Sequence, residues 1–272
     1  MSLLFIWTLV CPSVSLAQDL FDEENTLRYA NYLYNQGNYA LAIPEFERLV
    51  FYNPEEIRYK AQLVESYFNT GEYQQVETSI DRWTADIVEY PLSLYYLKSR
   101  LRLGEFTVAQ QVVNSDEYQF PKEEIPSISI ATLGLSGEWD KASEVCRDTP
   151  TAYHSVTFQN YCQVVGEAQN FNEKNKFVAA GLSMLIPGLG KVYTKDYVDG
   201  IANLLFVGAT AFQSYRGFKN DDINDLQGWI YGGAALSFYL GNIYGSWLAA
   251  NRYNDRFYES KQKELDISFF GQ

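Results

Sequence analysis

One histidine, two methionines and three cysteines are all that 272 residues contain of those types. With His154 alone, histidine-containing metal clusters and most acid–base triads lack material. Its neighbours Tyr153 and Ser155 suggest no site, so a surface or capping role is expected. Basic residues are also scarce, 21 against 34 acidic ones for a net charge of −13. Binding to nucleic acid needs a basic footprint on phosphate and is excluded on that ground. The 47% hydrophobic fraction is ordinary for a globular chain, which excludes a disordered or collagen-like protein and argues against a polytopic membrane protein. Gly188-Leu189-Gly190-Lys191 falls short of a phosphate loop, because Leu185 stands where the first Gly belongs and Val192 where Ser or Thr follows. The acidic stretch Asp221-Asp222-Ile223-Asn224-Asp225 lacks the Gly and terminal Glu of an EF-hand and reads as a solvated turn. No enzymatic activity, cofactor or metal site is expected.

Charge is divided unevenly. Residues 18–150 hold 23 acids and 11 bases, whereas residues 151–272 hold 11 and 10. The length suffices for one or two packed domains. At the start, the apolar run Leu3–Val10, then Pro12 and Ser15-Leu16-Ala17-Gln18, reads as a secretory signal cut after Ala17, although no Lys or Arg precedes it. Cys11 follows Thr8-Leu9-Val10, which lacks the small residue that lipid attachment requires, and belongs to the apolar run. Export would carry Cys146 and Cys162 into an oxidising compartment, where a disulfide and two buried thiols are both open.

What the chain has in abundance is periodicity. Gly37-Asn38-Tyr39, Gly71-Glu72-Tyr73, Gly104-Glu105-Phe106 and Gly137-Glu138-Trp139 recur at spacings of 34, 33 and 33, and five residues after each Gly stands Ala42, Val76, Ala109 or Ala142. The pattern predicts a helix, a tight turn with a left-handed Gly, and a second helix whose compact residue lets it approach the first. Such two-helix units bury their apolar faces only by stacking. On Ala30, Leu33, Gly37, Tyr39, Ala42, Phe46 and Pro54 the first unit resembles the tetratricopeptide repeat family. The second keeps Tyr67, Gly71 and Tyr73 but has Val76 and Ile80 at the Ala and aromatic positions, and the last two keep little beyond Gly, aromatic and Ala. The resemblance covers residues 23–150. It implies a concave groove that holds a protein or peptide, contributed by Asn31, Tyr34 and Asn35, then Glu65, Phe68 and Asn69, then Lys98 and Arg102. The repeated aromatic-Asn pair suits hydrogen bonding to an extended backbone.

Beyond Lys176 the composition changes. Phe177–Ile186 is apolar, Pro187-Gly188-Leu189-Gly190 breaks it, and Gly200–Tyr215 and Trp229–Ala250 carry no formal charge. The last run, 22 residues, is long enough on length alone to cross a bilayer. Trp229, Tyr231, Tyr244 and Trp247 suit its interfaces. Gly233, Ser237, Gly241, Gly245 and Ala249 recur every four residues and predict close packing on the preceding helix through Gly208 and Ala211. Pro187, Gly188 and Gly190 predict a sharp bend. The string from Ser183 to Tyr193 with Asp199-Gly200, and Gly241-Asn242-Ile243-Tyr244-Gly245, resemble hairpin modules of bacterial envelope proteins, distantly similar to the TM2 domain. Lys191 and Lys195-Asp196 depart from that pattern. The resemblance implies membrane placement. Two crossings would put only Arg216 and Lys219 in the cytoplasmic loop, against the positive-inside tendency. A hairpin that dips in without crossing would instead lay its basic flanks on anionic head groups.

The expected organisation is all-α: a signal peptide at 1–17, a tetratricopeptide-like α-solenoid at 23–150, a connecting helix at 151–176, a membrane-associated helical hairpin at 177–254 and a polar tail at 255–272. The expected function is a scaffold in the bacterial cell envelope, its repeats periplasmic and its hairpin in the membrane, the inner one expected. The partners are a protein or peptide and membrane lipid. The alternative is an oligomeric pore or translocation component, a homo-oligomer built through the glycine-rich hairpin.

Overall fold

Each Gly-polar-aromatic triplet ends one helix and starts another. Gly37, Gly71, Gly104 and Gly137 take φ of 72, 81, 75 and 80°. At each, the glycine N–H and the next N–H turn back to the two carbonyls that the helix end leaves free, as in Gly37 to Tyr34 and Asn38 to Leu33. This is the Schellman arrangement, and it needs a residue without a Cβ penalty at the left-handed position. The compact residue five positions on is fully buried in all four cases, Ala42, Val76, Ala109 and Ala142.

The computed structural model describes residues 22–83, 87–221 and 226–271; the signal read at 1–17 and the acidic turn at 222–225 lie outside the described residues. Among these the chain is helical, with no strand. In order come α1 (Glu23–Asn35), α2 (Tyr39–Tyr52), α3 (Ile57–Asn69), α4 (Tyr73–Trp83), α5 (Leu92–Arg102), α6 (Phe106–Asn114), α7 (Ile125–Leu135) and α8 (Trp139–Asp148). They are followed by α9 (Val156–Gln169), α10 (Lys176–Leu185), α11 (Leu189–Tyr193), α12 (Tyr197–Asp221) and α13 (Leu226–Phe270). The chain divides into two units, one running to Glu105 and including Asn114–Phe120, the other formed by Phe106–Val113 and everything from Pro121.

In the N-terminal unit α1 packs on α2, α2 on α3, and α3 on both α4 and α5. Ala30, Phe46, Leu49, Val64, Ile80 and Leu97 fill the interior. Segment 114–120 joins this unit because Val88 exchanges backbone hydrogen bonds with it, donating to Glu117 at 2.7 Å and accepting from Gln119 at 2.9 Å.

The C-terminal unit has two parts. In the first, Ile130, Ala142, Phe158, Tyr161, Val165 and Leu265 form one core from α7, α8, α9 and the end of α13. Cys146 and Cys162 are joined in a disulfide with Cα atoms 5.6 Å apart, tying α8 to α9. Two sequence expectations change here. The connecting helix of 151–176 is a core helix, α9, and the polar tail of 255–272 is the last third of α13, running to Phe270. Residues 255–270 look polar because only a narrow stripe is used. Phe257 stacks on Phe171 at 3.7 Å, Leu265 is fully buried against Gly134, and between them Glu259, Lys263 and Glu264 face solvent while the largely covered Lys261 pairs with Glu167 of α9.

In the second part α10 lies antiparallel to α13, with α11 and α12 alongside. Met184 pairs with Tyr239, Ser183 with Ser246 at 2.7 Å, and Lys174 with Asn254 at 2.9 and 3.1 Å. The Pro187-Gly188-Leu189-Gly190 bend sits against this seam: Gly188 N–H donates to Asn242 Oδ1 at 3.1 Å and Gly190 N–H to Ser183 Oγ at 2.9 Å. A Cβ on Gly188 would lie 1.9 Å from the Gly200 carbonyl oxygen, and one on Gly190 would lie 2.0 Å from that of Ala179. The expected stripe is corrected. Gly233 and Gly241 have open space where a Cβ would be, Ser237 is exposed, and Gly245 is at ordinary contact distance from Lys191. The packed positions are Gly228, Gly232, Ala235, Asn242, Ser246 and Ala249, alternating by three and four. At about 100° per residue a fixed step of four drifts by about 40° each time, so it leaves the seam that a three-four alternation follows.

Candidate functional site

The predicted groove residues all lie in the N-terminal unit, and two of them, Tyr34 and Lys98, lie in the field of a third, Glu65. The hydroxyls of Tyr34 on α1 and Tyr95 on α5 both lie in the field of the Glu65 carboxylate on α3. Burial first, and then that carboxylate, holds both phenols far above the ordinary tyrosine range. Lys98 lies in the same field: burial lowers its pKa, and Glu65 opposes the shift. Asn31 Oδ1 accepts from Gln62 at 3.0 Å. Thus α1, α3 and α5 share one polar face. It can present hydrogen bonds and charge, and its phenols stay protonated at neutral pH.

Phe68 is corrected: at 5% exposure it is a packing residue, held between the rings of Tyr73 and Tyr95 at 5.3 and 5.9 Å. Tyr34 likewise packs edge-on against Tyr39 and Phe46. Asn35 and Asn69 are exposed, Asn69 steadied by a bond from its amide to the Glu65 carbonyl; Arg102 is half-buried. The sequence reading missed Tyr95 and Gln62, which sit one turn before Lys98 and Glu65; an i, i+3 search from each predicted position would have reached them. Among the described residues no group of three or more His, Cys, Asp or Glu is placed to hold a metal ion.

The second feature belongs to the C-terminal unit. Large apolar side chains stand exposed along α10 (Phe177, Met184, Leu185), α12 (Val198, Ile201, Leu205, Phe206, Phe212) and α13 (Trp229, Ile230, Leu236, Leu240). An apolar surface of this extent marks an interface with protein or lipid. Between α10 and α13 it deepens into a groove of about 380 Å³ lined by Ala180, Met184, Leu240, Ile243, Tyr244 and Trp247. The Trp229–Ala250 run does not meet the expectation of a crossing. Among the described residues no helix is long and apolar enough to cross a membrane. Its uncharged residues include too many Gly, Ser, Tyr and Asn.

Among the described residues the chain is thus all-helical, with a tyrosine-and-carboxylate face and an apolar helical surface. No family model, curated protein or solved structure matches it.

Proposed function

We propose that the protein is a membrane-associated scaffold of the bacterial cell envelope, in which a tetratricopeptide-like array outside the cytoplasm holds a protein or peptide partner and an apolar helical hairpin seats in the membrane interface. The observation that carries this reading is the exposed apolar surface of α10, α12 and α13. Water would not tolerate so many bare Leu, Ile and Phe side chains, whereas a lipid interface takes helices that are too short or too polar to span. The Cys146–Cys162 disulfide supports an oxidising compartment. The shared polar face of α1, α3 and α5 supports the groove, and the excess of acids in residues 18–150 favours a basic or neutral partner.

Affinity capture with the full chain tests the groove. In the variant Asn35→Ala/Asn69→Ala, both positions being exposed, recovery of the partner is expected to fall about tenfold, from the loss of two hydrogen-bonding groups. Identical partner profiles for variant and wild type would remove the groove assignment.

A further inference from the structure

Three ammonium groups lie near the N-terminal end of α10, one of them, Lys176, beside the apolar groove between α10 and α13. Lys176, the first residue of α10, holds its Nζ 5.1 Å above the Trp247 ring, which lines the groove. Lys174 lies 4.6 Å above Tyr193 and 5.9 Å above Tyr253, and Lys195 is 5.8 Å above the same Tyr253 ring. Among the described residues none of the three pairs with a carboxylate. Glu173, next in sequence to Lys174, accepts from Tyr258 at 2.8 Å instead. The cluster is fixed in place: Asn254 clamps both backbone groups of Lys174, and Asn175 caps α10 through its side chain. Lys195 is more telling. It ends α11 in the left-handed conformation, φ 65°, and is the one described non-glycine residue with positive φ. An L-residue there costs about 1–2 kcal/mol, and a glycine would avoid that strain but bring no charge.

We infer that this end of the C-terminal unit binds one anionic phospholipid, its phosphate among Lys174, Lys176 and Lys195 and one acyl chain in the groove toward Met184 and Leu240. From Lys176 to Met184 the groove side of α10 spans about 12 Å at 1.5 Å per residue. Its 380 Å³ falls in the range of ligand sites, and its lining offers no charge. Lysines at the N-terminal end of α10 and an uncharged trough beside Lys176 match a lipid with a charged head and an apolar tail, which a free anion or a neutral lipid would satisfy only in part. The inference rests on the membrane-associated reading and adds the lipid class.

Flotation of the full chain on phosphatidylcholine vesicles, with and without a phosphatidylglycerol fraction, tests it. Wild type is expected to bind the anionic vesicles on the order of a hundredfold more tightly, from roughly fivefold for each of three lysines. Lys174→Gln/Lys176→Gln/Lys195→Gln should erase that preference while still binding neutral vesicles. Ala180→Trp, which fills the groove without touching charge, should lose at least half of the preference in log affinity. Inorganic phosphate should not compete. An equal affinity of wild type for both vesicles, an undiminished preference in either variant, or displacement by phosphate would each overturn the lipid site. Absence of wild type from every vesicle would overturn the membrane-associated reading itself. Circular dichroism of both variants, unchanged from wild type, confirms that each result reports binding.

Discussion

Gly188→Ala is expected to destabilise the α10–α13 helices by about 3 kcal/mol, the sum of a left-handed alanine and overpacking. Gly188 has φ 89°, and the added carbon would stand 1.9 Å from a backbone oxygen of Gly200. Backbone cannot swing away as a side-chain tip can. Relief would have to separate α11 from α12 or break the Gly188 bond to Asn242, whose side chain is only 1% exposed. Gly233→Ala is the control, because nothing lies within 4 Å of its missing Cβ. There the alanine should stabilise α13 by about 0.5–1 kcal/mol through helix propensity. Urea unfolding followed by tryptophan fluorescence measures both. Destabilisation by Gly233→Ala with a neutral Gly188→Ala would restore the step-of-four stripe and reject the three-four seam.

The second large effect concerns the apolar surface. Leu205 and Leu236 are 66% and 59% exposed, so replacing them leaves the helical core intact. Leu205→Asp/Leu236→Asp should weaken binding to neutral vesicles by a hundredfold or more, since each buried leucine is worth about 1.5–3 kcal/mol. The variant's thermal unfolding should remain within a few degrees of wild type. Unchanged vesicle affinity would mean that these residues do not enter lipid.

Much of this was legible in the sequence where a feature is local. The four turns could be read because a left-handed glycine, a helix end and a compact residue five positions later are all set within a few residues. Ala42, Val76, Ala109 and Ala142 are buried as the spacing requires. The bend at Pro187–Gly190 was legible for the same reason. What stayed hidden depends on contacts distant in the chain. Leu265 meets Gly134 across about half the sequence, and nothing near residue 265 announces a core partner. Phe68 was read as a binding residue because helical register gives a face but does not tell which aromatic another helix covers; Tyr95 does so here. The glycine stripe misled because small residues allow close packing at any phase, and the phase is set by Asn242 and Ser246, polar residues that look like surface. In the sequence Lys195 stands out only as a departure from a pattern. Its left-handed backbone and its place over Tyr253 give that departure a physical meaning.

The exposed helices α10, α12 and α13 are expected to hold the protein on a membrane. Fractionation of cells expressing the full chain tests it most directly. The protein is expected to sediment with the membranes, to stay there through a high-salt wash, and to be released by mild detergent. Its complete recovery in the aqueous fraction without detergent would contradict the account.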